Sequence, residues 1–122
     1  MPGNTDVMVL DDEPIVGERL RPALEREGFQ VEVFTDSKLA IARLKEKTFA
    51  VVVTDLKMRG PSGMDVLRFV REHASGTPVI VITGYATIET SYEADALGAV
   101  QFVAKPFKLK EIVKLVTKAS RR

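Results

Sequence analysis

A chain of 122 residues holds one domain, since a second would have no core of its own. Its 18 basic and 17 acidic residues leave a net charge of +1, which excludes a nucleic-acid footprint spread over the whole domain. There is no cysteine, so disulfides and thiolate metal sites are excluded, and no apolar run approaches the ~20 residues that cross a bilayer.

The first residues, Met1 to Asp6, carry neither the basic charge nor the apolar run of a signal peptide. A cytoplasmic location is expected, with residues 1–5 disordered. Val7–Leu10 is continuous and apolar, as suits a strand covered on both faces. A helix follows with Pro14 in its first turn, Val16, Leu20, Ala23 and Leu24 as its buried stripe, and Gly28 as its stop. Pro22 falls inside that pattern and is expected to kink or break the helix. Val31–Phe34 is a short strand, and Asp36 or Ser37 caps a helix through about Glu46. Ala50–Thr54 is rich in β-branched valine and reads as a third strand.

After the loop Lys57–Gly63, a helix over Met64–His73 turns Val66, Leu67 and Val70 inward. Pro78–Thr83 is a fourth buried strand. Thr87 caps a helix over Ile88–Leu97, which Gly98 stops before a fifth strand, Ala99–Ala104. The last helix, about Leu109–Ser120, buries Leu109, Ile112, Val113, Leu115 and Val116. Its Lys108, Lys110, Lys114, Lys118, Arg121 and Arg122 read as a solvated side with cations near the helix C-terminus. No aromatic residues interleave with them, so direct nucleic-acid binding is not expected. Strand and helix alternate five times, which predicts right-handed crossovers and an α/β fold: a doubly wound, five-stranded parallel sheet in the order 2-1-3-4-5.

Such a sheet gathers the carboxyl ends of its strands into one crevice. Asp11, Asp12 and Glu13 follow the first strand, Asp55 the third, and Lys105 the fifth. Clustered carboxylates call for a compensating cation, and Mg2+ favours carboxylate oxygens, water and phosphate. Asp12 and Asp55 fit as direct ligands, with Asp11 acting through water and the Lys57 carbonyl as a further candidate. The plainer reading is that strand-ending acids cap the next helix, and Asp11 or Asp12 alone would serve for that. Asp55 resists it, because Pro61, Ser62 and Gly63 intervene before the next helix. A carboxylate beside a metal and a cation can attack a phosphoryl group to form an aspartyl phosphate. Lys105 supplies the cation, Thr83 a hydroxyl, and Gly84 a backbone that approaches an oxyanion closely. Taken singly, Lys105 is an ordinary surface lysine and Thr83 a turn residue.

The segments Asp11-Asp12-Glu13-Pro14, Asp55-Leu56-Lys57-Met58, Val81 to Thr87 and Phe102 to Phe107 resemble the response regulator receiver domain of two-component signalling. The likeness spans nearly the whole chain as a single receiver domain, 1–122, of flavodoxin-like fold. It is greatest to receivers of nitrogen-regulatory, sigma-54-dependent activators. The resemblance implies that Asp55 accepts phosphate from a sensor histidine kinase and that Asp11, Asp12, Asp55 and the Lys57 carbonyl hold Mg2+. Thr83, Gly84 and Lys105 would bind phosphate, Thr83 and Phe102 would switch, and the bond before Pro106 would be cis. Phe102 is equally placed to be a core aromatic. An output domain, fused or separate, and a phosphorylation-dependent dimer through the fourth helix, fifth strand and fifth helix are implied partners, with transcription regulation as output.

Two positions depart from the family pattern. Arg59 stands where a proline is usual, with Pro61 two residues later, which bears on the acceptor loop and on kinase docking. Phe102 lacks the hydroxyl of tyrosine-bearing relatives. Lys57 and Tyr85 flank the line of water attack and are expected to slow loss of the phosphoryl group. A phosphatase of the aspartyl-nucleophile type needs a second acid near the nucleophile, and the residue two beyond Asp55 is Lys57. A flavin carrier is disfavoured by the acidic, glycine-poor first turn. The domain is expected to be no enzyme beyond Mg2+-dependent self-phosphorylation and slow self-dephosphorylation. His73, at a helix end, is expected to take no part in phosphotransfer.

Overall fold

The computed structural model describes residues 3–56 and 62–121. The elements are β1 (Asp6–Leu10), α1 (Pro14–Glu25), β2 (Gln30–Phe34), α2 (Ser37–Glu46), β3 (Val51–Asp55), α3 (Gly63–His73), β4 (Val79–Thr83), α4 (Ile88–Ala96), β5 (Gln101–Ala104) and α5 (Leu109–Ser120). The five strands form one parallel sheet ordered β2-β1-β3-β4-β5, as the alternation of elements predicts. Lys57, Arg59 and Pro61 lie outside the described residues.

Each face of the sheet packs its own apolar layer. Val7, Val9, Val51, Val53, Ile80 and Ile82 meet Leu20 and Leu24 of α1 and Ile112 and Val116 of α5. Met8, Leu10, Val52 and Val81 meet Leu44 of α2, Val66, Leu67 and Val70 of α3, and Ala94 of α4. Adjacent residues on one strand therefore enter opposite layers, which is why the strands read as unbroken apolar runs.

Several bounds differ from those expected. Asp55 lies inside β3, paired with Ile82 of β4, rather than after it. α1 is not broken at Pro22 but continues to Glu25. Proline deletes the bond to the Glu18 carbonyl, yet both residues are exposed, so water can satisfy that group, and the helix ends a turn later. On α5, Ile112, Val116 and Ala119 are buried, whereas Leu109, Val113 and Leu115 are only half-buried. Asn4 and Thr5, within the segment expected to be disordered, both make hydrogen bonds. Asn4 Nδ2 donates to the Thr48 carbonyl at 2.8 Å, and the Thr5 carbonyl accepts from Gln30 N at 3.0 Å.

Two glycines are shaped by close approach. A Cβ on Gly17 would strike Val33, so α1 lies tight against β2. A Cβ on Gly63 would strike the Asp55 carbonyl and come within 2.7 Å of Leu56 Cα. Gly63 N also donates to the Leu56 carbonyl at 2.9 Å, which pins the start of α3 to the end of β3. Ser62 caps α3 through a reciprocal pair with Asp65: Met64 N donates to Ser62 Oγ, and Ser62 N donates to Asp65 Oδ2.

Candidate phosphoacceptor and metal site

The parallel register sets the strand ends level. Leu10 pairs with Thr54, Asp55 with Ile82, and Thr83 with Ala104. Asp11, Asp55, Thr83 and Lys105 thus meet on one edge, although 94 positions separate the first from the last. Asp11, Asp55 and Thr83 are buried there, while Asp12 and Gly84 are exposed.

Lys105 bridges the acids. Its Nζ lies 2.8 Å from Asp11 Oδ2, 2.9 Å from Glu13 Oε1 and 3.1 Å from Asp55 Oδ2. Asp55 Oδ1 accepts from Leu56 N at 2.6 Å, which fixes the carboxylate plane. Asp11 Oδ1 accepts from Glu13 N at 2.8 Å. Asp11 Oδ2, in contrast, is buried with no aligned hydrogen bond, its lysine contact notwithstanding. Burial pushes the Asp11 carboxyl above the ordinary range; Lys105 and the Glu13 N–H oppose this, and the neighbouring Asp55 reinforces it. Burial likewise disfavours the Lys105 ammonium, but Asp11, Glu13 and Asp55 outweigh it, and its pKa is raised.

Carboxylate oxygens of Asp11, Asp12 and Asp55 all lie within 4.8 Å of one another. Three hard oxygen donors, on carboxylates that include the buried Asp11 with its unaligned Oδ2, fit a divalent cation. Glu13 adds a fourth carboxylate against the single ammonium of Lys105. The Lys57 carbonyl, named as a further ligand, lies outside the described residues.

Thr83 Oγ1 accepts from Tyr85 N at 3.0 Å and keeps its own proton to donate. A Cβ at Gly84 would meet nothing within 4 Å among the described residues beyond its chain neighbours, so none of these fills the space over that backbone. The Lys105–Pro106 bond is cis. Phe102 is half-buried on β5 and packs against the layer shared with α3 and α4. His73 stacks on Phe69 with ring centroids 4.4 Å apart. It ends α3, which runs back from the acidic edge, so it stands apart from the site.

The family model for the response regulator receiver domain matches residues 7–117. The chain is a response regulator receiver domain. An NtrX-like response regulator of Rickettsia conorii is 34% identical over 116 residues, covering 93% of this chain and 24% of the relative. The transcriptional regulatory protein FixJ of Bradyrhizobium diazoefficiens is 30% identical over 116 residues, covering 95% of this chain and 57% of FixJ. In solved structures, the beryllofluoride-activated NtrC4 receiver domain dimer superposes with a TM-score of 0.90 at 31% identity, over 96% of this chain and 97% of that one. This receiver therefore spans a quarter to little more than half of the length of such regulators, and it belongs with those of the NtrC-like kind. It is a signalling domain of the phosphorelay type, with no helix among the described residues long and apolar enough to cross a membrane.

Sequence reasoning named the acids, Thr83 and Lys105. It gave Glu13 no partner and Gly63 no role beyond the loop. Gly63 carries a legible signal, as the residue after the cap in a Ser62–Asp65 capping box. Glu13 carries none, because its contact lies 92 positions away.

Proposed function

We propose that this receiver accepts a phosphoryl group on Asp55 from the phosphohistidine of a sensor kinase and relays that event to an output that regulates transcription. The observation that carries the reading is the Lys105 ammonium seated between the buried Asp11 and Asp55 carboxylates, beside oxygens suited to a metal. In this reading Asp11, Asp12, Asp55 and the Lys57 carbonyl would hold Mg2+, which would supply positive charge to offset that on the phosphoryl oxygens. Asp55 Oδ2 is the oxygen placed to attack, because its partner is a side-chain ammonium that can turn to a phosphoryl oxygen, whereas Oδ1 is held by the backbone N–H of Leu56. Lys105 pairs with one phosphoryl oxygen, while the Thr83 hydroxyl and the open backbone at Gly84 receive another.

Thr83 Oγ1 accepts from Tyr85 N, so movement of the hydroxyl toward a phosphoryl oxygen draws on the loop before α4. Phe102, half-buried beside α4, then follows Thr83 inward. This shifts the face of α4, β5 and α5 between two packings. That face is where a second copy or an output domain binds. Acting on its own acyl phosphate, the domain needs no foreign substrate, and its place is the cytoplasm with its kinase.

The test is Mg2+-dependent phosphorylation from a small acyl phosphate, together with beryllofluoride binding, on wild type and Asp55→Asn. Both should be lost on substitution. An Asp55→Asn protein that still takes up phosphate as an acyl phosphate rules this acceptor out.

A further inference from the structure

Lys105 is crowded by three carboxylates: it donates hydrogen bonds to Glu13 at 2.9 Å and Asp55 at 3.1 Å, and Asp11 Oδ2 lies 2.8 Å away without an aligned bond. With three carboxylates packed around it, the ammonium can turn to a phosphoryl oxygen arriving on Asp55 only where one of them gives way. The three differ in what opening leaves behind. The Asp11 and Asp55 side chains are 1% and 6% exposed, and either would be stranded as a buried carboxylate. Glu13 is 62% exposed, and water takes up its carboxylate at once. Glu13 is also the N-cap residue of α1, yet its side chain makes no capping bond, so its release leaves the helix start as it was.

We propose that Glu13 is an exchangeable partner of Lys105: it holds the ammonium while Asp55 is unmodified and yields it to a phosphoryl oxygen, thereby setting the affinity of the site for a phosphoryl group. The proposal rests on Asp55 as acceptor. In the step itself, an Asp55 carboxylate oxygen bonds to phosphorus while the donor's bond to phosphorus breaks, and the electron pair leaves with the imidazole nitrogen of a phosphohistidine or the carboxylate oxygen of acetyl phosphate. Lys105 remains an ammonium throughout and only changes partners. Glu13 is thus a positioning residue that acts through Lys105.

The experiment measures beryllofluoride affinity at saturating Mg2+ for the whole 122-residue protein, by titration followed in NMR spectra. The variants are Glu13→Gln, Glu13→Asp and Glu18→Gln. Glu13→Gln should bind about three- to fivefold more tightly, the range an exposed ion pair allows. Glu13→Asp keeps the charge but is one methylene too short for the contact, and it should move the same way. Glu18 is exposed on α1 with no ion pair among the described residues, and Glu18→Gln should match wild type. With acetyl phosphate as donor, Glu13→Gln should lower KM by a similar factor and leave kcat within about twofold.

A Glu13→Gln affinity equal to or weaker than wild type overturns the proposal and leaves the acceptor reading intact. So does a gain shared with Glu18→Gln but absent from Glu13→Asp, which would mark a general field. A wild-type protein that binds no beryllofluoride fails the acceptor reading first, and this one with it.

Discussion

Two carboxylates in this receiver are pulled in opposite directions, and the difference is what surrounds each of them. On β2, Glu32 accepts two bonds from Arg43, at 2.8 and 3.1 Å, and one from Lys47 at 2.9 Å. The Arg43 bond leads in holding its pKa down from 4.5 to about 2. Asp11 has a lysine at 2.8 Å, yet burial wins and its pKa rises. For Glu32 the lowered value means that the unfolded chain binds its proton first as pH falls. Its contribution is therefore complete above about pH 4.5 and drains away as pH drops toward 2. With the side chain 29% exposed, solvent screening brings that contribution to about 1 kcal/mol. Glu32→Gln should lower the urea midpoint at neutral pH and flatten its decline between about pH 5 and 2. Parallel slopes for the two proteins in that window would remove Glu32 from the account. Neither carboxylate's fate was legible in the sequence. Arg43 reaches Glu32 from a helix 11 positions away, and nothing local announces the pairing.

Elements, in contrast, were legible wherever a strand is buried on both faces or a helix shows one apolar stripe. Val16, Leu20, Ala23 and Leu24 of α1 are all buried, as the spacing of the apolar residues requires. Legibility fails where one element leans on another. Asp55 reads as loop from its chemistry but is strand by its pairing with β4. Gly63 reads as loop filler, yet the start of α3 presses on the Asp55 backbone so closely that only a hydrogen fits. A Gly63→Ala protein must move α3, Asp55 or both, because the atoms it would strike are backbone and cannot rotate away. Overpacking of this kind costs about 1–3 kcal/mol. Since the strain falls on the strand that carries the candidate acceptor, beryllofluoride affinity should also fall, by about tenfold for a shift near 1 Å. Gly76→Ala is the control: Gly76 lies in the turn after α3 with nothing within 4 Å of its Cβ position, so this substitution should leave affinity unchanged. If Gly63→Ala unfolds more easily but binds as wild type, α3 rather than Asp55 has given way.

At the scale of the whole molecule, the alternation of elements fixes the sheet order, and the order alone brings Asp11, Asp55 and Lys105 together. What the alternation does not convey is how unevenly the helices are anchored. α3 buries Gly63, Met64, Val66, Leu67 and Val70, whereas α4 buries Ala94 alone. Ile88 and Tyr92, one helical turn apart on α4, are 74% and 73% exposed, and Tyr85 in the preceding loop is 63% exposed. Large apolar groups so exposed beside a weakly held helix suit a surface that is covered in another state. If that state is the phosphorylated dimer, covering Ile88 and Tyr92 supplies much of the drive for association. Wild type with Mg2+ and beryllofluoride should then sediment with a concentration-dependent increase in mass, which the untreated protein lacks. Ile88→Ser with Tyr92→Ser should remain monomeric under the same conditions while binding beryllofluoride with wild-type affinity, because neither residue touches the acidic edge. Should the double variant associate as wild type does, α4 is no part of the contact. Should it lose beryllofluoride affinity as well, α4 contributes to the site itself, and its exposure has another cause.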